Sequence, residues 1–168
     1  MDVKNYMAEG EYPEAVIEEK NPFEAKKLMN DYSGREGETT AIMTYAYQAY
    51  MLAKDYPDIS GALEGIAVVE MKHHELLGET IAGLGGYPVI GGRNYFWNGS
   101  FADYVTDPEK MLRNDIAGEK RAIINYEKTI LIIKNDSIKA LLRRIIKDEE
   151  RHIEVLEKLL ADYAAGKK

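Results

Sequence analysis

A glutamate stands three residues before a histidine twice in this chain, in EMKH at residues 70–73 and in EERH at residues 149–152. Each pair interrupts a stripe of apolar residues that recurs every three or four positions, which is the period of one helix face. Residues three apart share a face, so both side chains of a pair can reach one point. Because a buried carboxylate needs a positive partner, these two stretches decide how the surrounding helices must meet.

Apolar residues with the same helical period run through four long stretches, and no strand-like alternation competes with them. Such stripes need mutual burial, so the sequence predicts an all-α four-helix bundle. The glycine-rich and aromatic residues 85–106 predict one long crossover between the second and third helices. The predicted long helices span about residues 36–55, 60–83, 108–134 and 136–165.

The residues before the first long helix predict a separate N-terminal region. Residues 1–21 form an acidic, aperiodic arm, and a short helix begins at Pro22 after the N-cap residue Asn21. Asp107 and Asn135 are the corresponding caps of the third and fourth long helices. We therefore expect an arm with a short helix in residues 1–33 and the bundle in residues 34–168.

One carboxylate also interrupts each of the other two stripes, Glu38 in the first helix and Glu119 in the third. A bundle built on these stripes buries four carboxylates together, and no lysine or arginine lies at the same level of a stripe. Two metal ions supply the missing charge. The halves of the chain match, because a tyrosine follows each of these glutamates by seven residues (Tyr45 and Tyr126) and an EXXH pair comes later in each half.

Composition excludes several classes of protein. The 168 residues contain no cysteine, which rules out disulfides, zinc–thiolate sites, iron–sulfur clusters and thiol catalysis. The formal net charge of −7 argues against nucleic-acid partners. No apolar run approaches the roughly 20 residues that span a bilayer, and the first residues lack the apolar core of a secretory signal. We therefore expect no membrane partner and a cytoplasmic location.

The motifs resemble those of the ferritin-like di-iron and di-manganese carboxylate superfamily over roughly residues 30–165. GETTAI at 37–42 with Tyr45, EMKH at 70–73 and DEERH at 148–152 resemble motifs of bacterioferritins and rubrerythrins. GGYPV at 85–89 with Trp97 and DIAGEKRA at 115–122 are closer to manganese catalases and their spore-coat relatives. The chain departs from the pattern at Ala122, where rubrerythrins carry a second glutamate, and at Gly118, where manganese catalases carry a basic residue.

With this resemblance, we expect two metal ions per chain, iron or manganese, in an oxygen-rich site. Tyr45 and Tyr126 are expected to hydrogen-bond the ligand carboxylates. A haem at Met71, a ligand role for His74, and buried positions for Glu75 and Glu150 are not expected. Glu70 and Glu149 are assigned as bridging ligands, Glu38 and Glu119 as terminal ligands, and His73 and His152 as the ligands of one ion each; these six are the candidate catalytic residues.

Two adjacent ions can share a two-electron change while peroxide or O2 bridges them. The resemblance therefore implies an oxidoreductase that handles hydrogen peroxide or O2, in the manner of a catalase or a peroxidase, and that forms a homo-oligomer. One alternative is a ferroxidase or iron-storage protein, which requires a closed shell. A second alternative is a structural bundle without redox chemistry, which would bind no metal.

Overall fold

The computed structural model describes residues 3–166 and confirms the all-α bundle. The short helix α1 precedes the four long helices α2 to α5. Two short 3₁₀ turns occur at Val3–Tyr6 and Gly99–Phe101. The α-helices are α1 (Pro22–Ser33), α2 (Glu38–Leu52), α3 (Pro57–Gly83), α4 (Pro108–Ile132) and α5 (Asp136–Ala164).

The ends of the helices follow local chemistry. The side chains of Asn21, Asp107 and Asn135 each accept a hydrogen bond from a backbone N–H of the first turn, so the three expected caps are confirmed. The start predicted for the second long helix is wrong by three residues, because α3 begins at Pro57 instead of Ser60. Proline is tolerated at the first helical position, where its missing N–H has no partner in the helix.

The bundle is made of two helix pairs, α2 with α3 and α4 with α5. Two apolar clusters fill it, one at each end. Leu28, Leu77 and Leu142 belong to the first cluster, and Leu63 and Leu112 belong to the second. The helices α2 and α4 touch each other far less than the partners within each pair do, which leaves a gap in the wall of the bundle.

The crossover from α3 to α4 contains a small hairpin that the sequence reading did not predict. Strands β1 (Gly91–Gly92) and β2 (Tyr95–Phe96) pair antiparallel. A side chain at Gly91 would place its Cβ 2.2 Å from the backbone oxygen of Tyr95, so glycine is required there. Trp97 Nε1 donates a hydrogen bond to Thr40 Oγ1 in α2 at 2.9 Å, which ties the crossover to the bundle.

The described part of the N-terminal arm, residues 3–21, lies against the bundle. The ring of Tyr6 packs on Gly65 of α3 so closely that a Cβ at Gly65 would lie 2.1 Å from a ring carbon. Arg151 Nε in α5 donates a hydrogen bond to the backbone oxygen of Asn5 at 3.0 Å. The arm is therefore part of the packed structure, although its sequence has no helical period.

Within residues 3–166, no helix combines the length and apolar character needed to cross a membrane.

Candidate metal centre

The structure brings all six candidate ligands together between the two apolar clusters. None of the six is more than 3% exposed. On α3, α4 and α5, the polar candidate ligands lie between apolar residues of the two clusters. The packing that forms the bundle therefore also encloses the six polar side chains. The six residues, called the carboxylate–imidazole cluster below, are Glu38 from α2, Glu70 and His73 from α3, Glu119 from α4, and Glu149 and His152 from α5.

One half of the cluster surrounds His73. Its Nδ1 lies 3.0 Å from Glu70 Oε2, 3.4 Å from Glu149 Oε1 and 3.7 Å from Glu38 Oε2. One ligand atom from each of these four residues lies within 4.8 Å of those of the other three. We call this group the His73 half-site.

The other half surrounds His152 in the same way. Its Nδ1 lies 3.0 Å from Glu149 Oε2, 3.2 Å from Glu70 Oε1 and 3.5 Å from Glu119 Oε1. This group, the His152 half-site, meets the same 4.8 Å condition. Glu70 and Glu149 thus direct one oxygen to each imidazole, which is the arrangement of carboxylates that bridge two ions.

The hydrogen bonding within the cluster is incomplete. Glu70 Oε1, Glu149 Oε2 and His152 Nδ1 are buried and have no hydrogen bond among the described residues. Buried polar atoms normally have a partner, and each exception calls for an explanation. A divalent cation in the His152 half-site satisfies all three atoms, and the matching donors of the His73 half-site can hold a second ion. Oxygen and imidazole ligands in this proportion suit iron or manganese.

The electrostatics of the cluster point the same way. Burial, and then the negative charge of Glu70, raise the pKa of Glu38 well above its usual range. Burial and the charges of Glu70 and Glu149 raise the pKa of Glu119 to about 8. Burial disfavours the charged form of His73, but the charge of Glu149 and the surrounding hydrogen bonds outweigh it and raise the pKa of that imidazole. Without a metal ion, the negative charge of the clustered carboxylates is thus offset by protons that the raised pKa values keep on Glu38, Glu119 and His73.

Two tyrosines cross the bundle to reach the carboxylates of Glu38 and Glu119. The hydroxyl of Tyr45 in α2 donates to Glu119 Oε1 in α4, and the hydroxyl of Tyr126 in α4 donates to Glu38 Oε1 in α2. Burial raises the pKa of both hydroxyls, so both stay protonated and remain donors. The expected contact of these tyrosines with the carboxylates is present, and it joins α2 to α4, which touch far less than the partners within each helix pair do.

A cavity of about 370 Å³ opens through the gap between α2 and α4 and reaches the cluster. Ala122 lines it at the position where a longer side chain would fill the space. Most of the charged residues that line it are acidic, including Asp31 and Asp115, whose pKa values burial raises to about 7 and about 8. Neither the cavity nor the position of the two aspartates was predicted, because a gap between helices leaves no local pattern in the sequence.

A group of hydrogen-bonded polar residues behind His73 was also not predicted from the sequence. Asp148 is fully buried and accepts hydrogen bonds from Arg144 Nη1 at 2.6 Å and from Tyr12 at 2.6 Å, and it lies 3.0 Å from His73 Nε2. Burial opposes its ionisation, but the hydrogen bonds from its three partners lower the pKa of Asp148 to about 2. The one available signal was the position of Asp148 directly before Glu149, a candidate ligand.

The residues that were set aside lie away from the cluster. His74 stacks on Tyr32 with the ring centroids 4.1 Å apart, and burial lowers its pKa. Met71 is 48% exposed. Glu75 and Glu150 are exposed, as expected, and Glu75 pairs with a neighbouring lysine.

Comparisons with known proteins bear on the family and the fold of the chain. The rubrerythrin family model matches residues 33–160, a range that contains the whole cluster. Protein CotJC of Bacillus subtilis (strain 168) is 30% identical, with 82% of this chain and 85% of that protein covered. KatB, a manganese catalase from Anabaena, shares the fold with a TM-score of 0.80 at 22% identity, covering 94% of this chain and 80% of KatB. A Desulfovibrio desulfuricans bacterioferritin, whose structures describe a diiron site, gives a TM-score of 0.70 at 25% identity, covering 86% and 82%.

Proposed function

The chain belongs to the rubrerythrin family, and from that premise we propose that the carboxylate–imidazole cluster binds two iron or manganese ions and acts on hydrogen peroxide. One observation carries the proposal. Glu70 and Glu149 each present one oxygen to His73 and the other to His152, so two ions can share both carboxylates. The tyrosine-held carboxylates of Glu38 and Glu119 then complete one half-site each.

The reaction that fits this chain best is the disproportionation of hydrogen peroxide. When bound, an iron or manganese pair supplies a two-electron change at neighbouring positions. One peroxide is oxidised to O2 and a second is reduced to two waters, so electrons and protons balance without another reductant. The sequence contains no cysteine and therefore no thiolate-bound iron to deliver electrons, which favours a reaction that needs none.

The residues of the chain have separate tasks in this proposal. Tyr45 and Tyr126 fix the outer carboxylates by donating hydrogen bonds, which keeps the oxygens of those carboxylates aimed at the ions. The cavity between α2 and α4 admits a molecule as small as peroxide to the same side of the cluster. The apolar clusters above and below exclude bulk water from the remaining sides.

The test is peroxide turnover by protein loaded anaerobically with manganous or ferrous ions. We expect one O2 for every two peroxides consumed, recorded with an oxygen electrode. Glu149→Gln removes a shared ligand and should abolish O2 release, whereas Glu75→Gln, on the exposed face of the same bundle, should leave it unchanged. Metal-loaded protein that consumes no peroxide, or consumes it without O2, contradicts the proposal.

The acidity of the cavity supports a second candidate, oxidation of ferrous iron as a substrate. Asp31, Asp103 and Asp115 line the route to the cluster. Burial favours the neutral form of Asp31 and Asp115, but a divalent cation can displace their protons and bind the carboxylates, whereas neutral peroxide gains nothing from them. Ferrous iron added anaerobically, followed by O2, should then be oxidised over many turnovers per chain. Storage of the product also requires a closed shell of chains, so a dimer or small oligomer in light scattering argues against it.

A further inference from the structure

The two imidazoles of the cluster are held differently. His73 Nε2 lies 3.0 Å from Asp148 Oδ2, whereas His152 Nε2 is buried with no hydrogen-bond partner among residues 3–166. The difference is built into the sequence: Asp148 stands directly before Glu149, and the residue directly before Glu70 is Val69. The two half-sites therefore have matching ligands but unequal support behind them.

Asp148 is held in turn by the N-terminal arm. The backbone N–H of Ala8 donates to Asp148 Oδ1 at 2.7 Å, and the hydroxyl of Tyr12 donates to Asp148 Oδ2 at 2.6 Å. Both donors come from a segment about 140 residues away in sequence, since the separations are 140 and 136. Without the arm, two of the hydrogen bonds to this buried carboxylate are lost.

Arg144 fastens the arm to the same carboxylate. Its Nη1 donates to Asp148 Oδ1 at 2.6 Å, and its Nη2 donates to the backbone oxygens of Ala8 at 2.7 Å and Gly10 at 2.9 Å. The guanidinium also lies over the ring of Tyr12, 4.5 Å from its centroid. A single buried cation thus holds the arm and the aspartate together.

We propose that the N-terminal arm positions His73 through Asp148, so that the His73 half-site binds its ion more tightly than the His152 half-site and metal binding is coupled to docking of the arm. The proposal rests on the proposed function, because it assumes that the cluster binds two ions. Ala8 and Tyr12 are positioning residues, because they hydrogen-bond Asp148 and touch neither a substrate nor the atoms that would bind the ions.

The physical basis is the fixed orientation of the imidazole. When a carboxylate accepts the Nε2–H of His73, that proton stays on Nε2, and Nδ1, which faces the three carboxylates of its half-site, is the nitrogen that gives up its proton to an ion. The ring cannot rotate without breaking that bond, so less freedom is lost when an ion binds. His152 has no such bond and must be oriented by packing alone. Removal of such outer partners typically weakens metal binding by about 10–100-fold.

The first experiment is a competitive titration with manganous ion against a chelator, using the full chain. The native protein should bind two ions with different dissociation constants. Tyr12→Phe removes one donor to Asp148 and should weaken the tighter ion by about tenfold, leaving the weaker ion unchanged. Asp148→Asn should bring the two constants together. Tyr6→Phe, another tyrosine of the arm, packs on Gly65 and is the matched control, which should change neither constant.

The second experiment uses the reciprocity of coupled equilibria. If docking of the arm favours the ion, the ion must favour docking by the same factor. Saturation with manganous ion should therefore slow hydrogen exchange in the peptide that contains Ala8 by about tenfold in the native protein, and by less in Tyr12→Phe. A purely structural arm would show no response to the metal.

The outcomes separate the two proposals. If the native protein binds no ion, the proposed function fails and takes this inference with it. If two ions bind but Tyr12→Phe changes neither constant, or changes both equally, the inference is overturned and the metal centre stands. If only the tighter ion weakens and exchange at the arm responds to metal, the arm acts as proposed.

Discussion

Replacing Glu149 by glutamine should remove at least half of the stability that metal ions give to the protein. Glu149 directs one oxygen to each imidazole, Oε1 at 3.4 Å from His73 Nδ1 and Oε2 at 3.0 Å from His152 Nδ1. A glutamine in its place has a single oxygen and no charge. One substitution removes a ligand from both half-sites, so the affinity for both ions should fall together.

The magnitude follows from binding linkage. An ion present at about 100 times its dissociation constant stabilises the folded state by about 2.7 kcal/mol, so two ions contribute about 5 kcal/mol. A protein of this size gains roughly 2–4 °C in Tm per kcal/mol, which gives a shift of about 10–20 °C for the native protein. If the variant binds both ions at least tenfold more weakly, it should lose about 1.4 kcal/mol of stabilisation for each ion.

The assay is thermal unfolding followed by circular dichroism, once with a chelator and once with excess manganous ion. Glu75→Gln is the matched control, because Glu75 is 55% exposed and its one ion pair among residues 3–166 is with Lys72. This control should show the full shift in Tm. If Glu149→Gln gains as much from metal as the control does, the stabilisation comes from general binding to an acidic surface and the reasoning is refuted.

Three further predictions test other parts of the structure. Tyr126→Phe removes the hydroxyl that donates to Glu38 and should weaken manganous-ion binding by about tenfold in a chelator competition; an unchanged affinity would exclude this support. Burial raises the pKa of Asp115 to about 8, above its unfolded value, so the native protein loses stability as pH rises from about 4 towards 8. Asp115→Asn should therefore lose about 4 kcal/mol less than the metal-free native protein between pH 5 and pH 9 in urea unfolding, and parallel losses would contradict this. Gly65→Ala puts a Cβ against the ring of Tyr6 and should destabilise the protein by about 1 kcal/mol and speed proteolysis of the arm, whereas native-like cleavage would show that the ring moves freely.

Local signals predicted most of the fold. The helical period of the apolar residues, together with the caps at Asn21, Asp107 and Asn135, was enough to place five helices and the crossover. The helix starts shifted by two or three residues because proline or a glutamate can occupy the first turn as easily as the residue chosen. The hairpin was not predicted because strands of two residues are too short to show an alternation of apolar and polar residues.

The cluster was predictable for a different reason. Glutamate and histidine on an apolar stripe conflict with their surroundings, and that conflict is visible in sequence. The residues that hold Asp148 behind the cluster, Arg144 and Tyr12, show no such conflict in the sequence. Arg144 looks like any surface arginine of an amphipathic helix until the arm covers it, and Tyr12 lies in an aperiodic segment whose docking depends on the complete fold. The cavity likewise depends on the spacing of α2 and α4, which no single stretch encodes.

The most direct test of the metal centre is elemental analysis of protein purified without added metal or chelator. The clustered donors predict two ions of iron or manganese per chain in the native protein and far fewer in Glu149→Gln. Protein that contains no metal, and that binds none when ferrous or manganous ion is added anaerobically, contradicts the account, and the buried carboxylates would then belong to a structural bundle without redox chemistry.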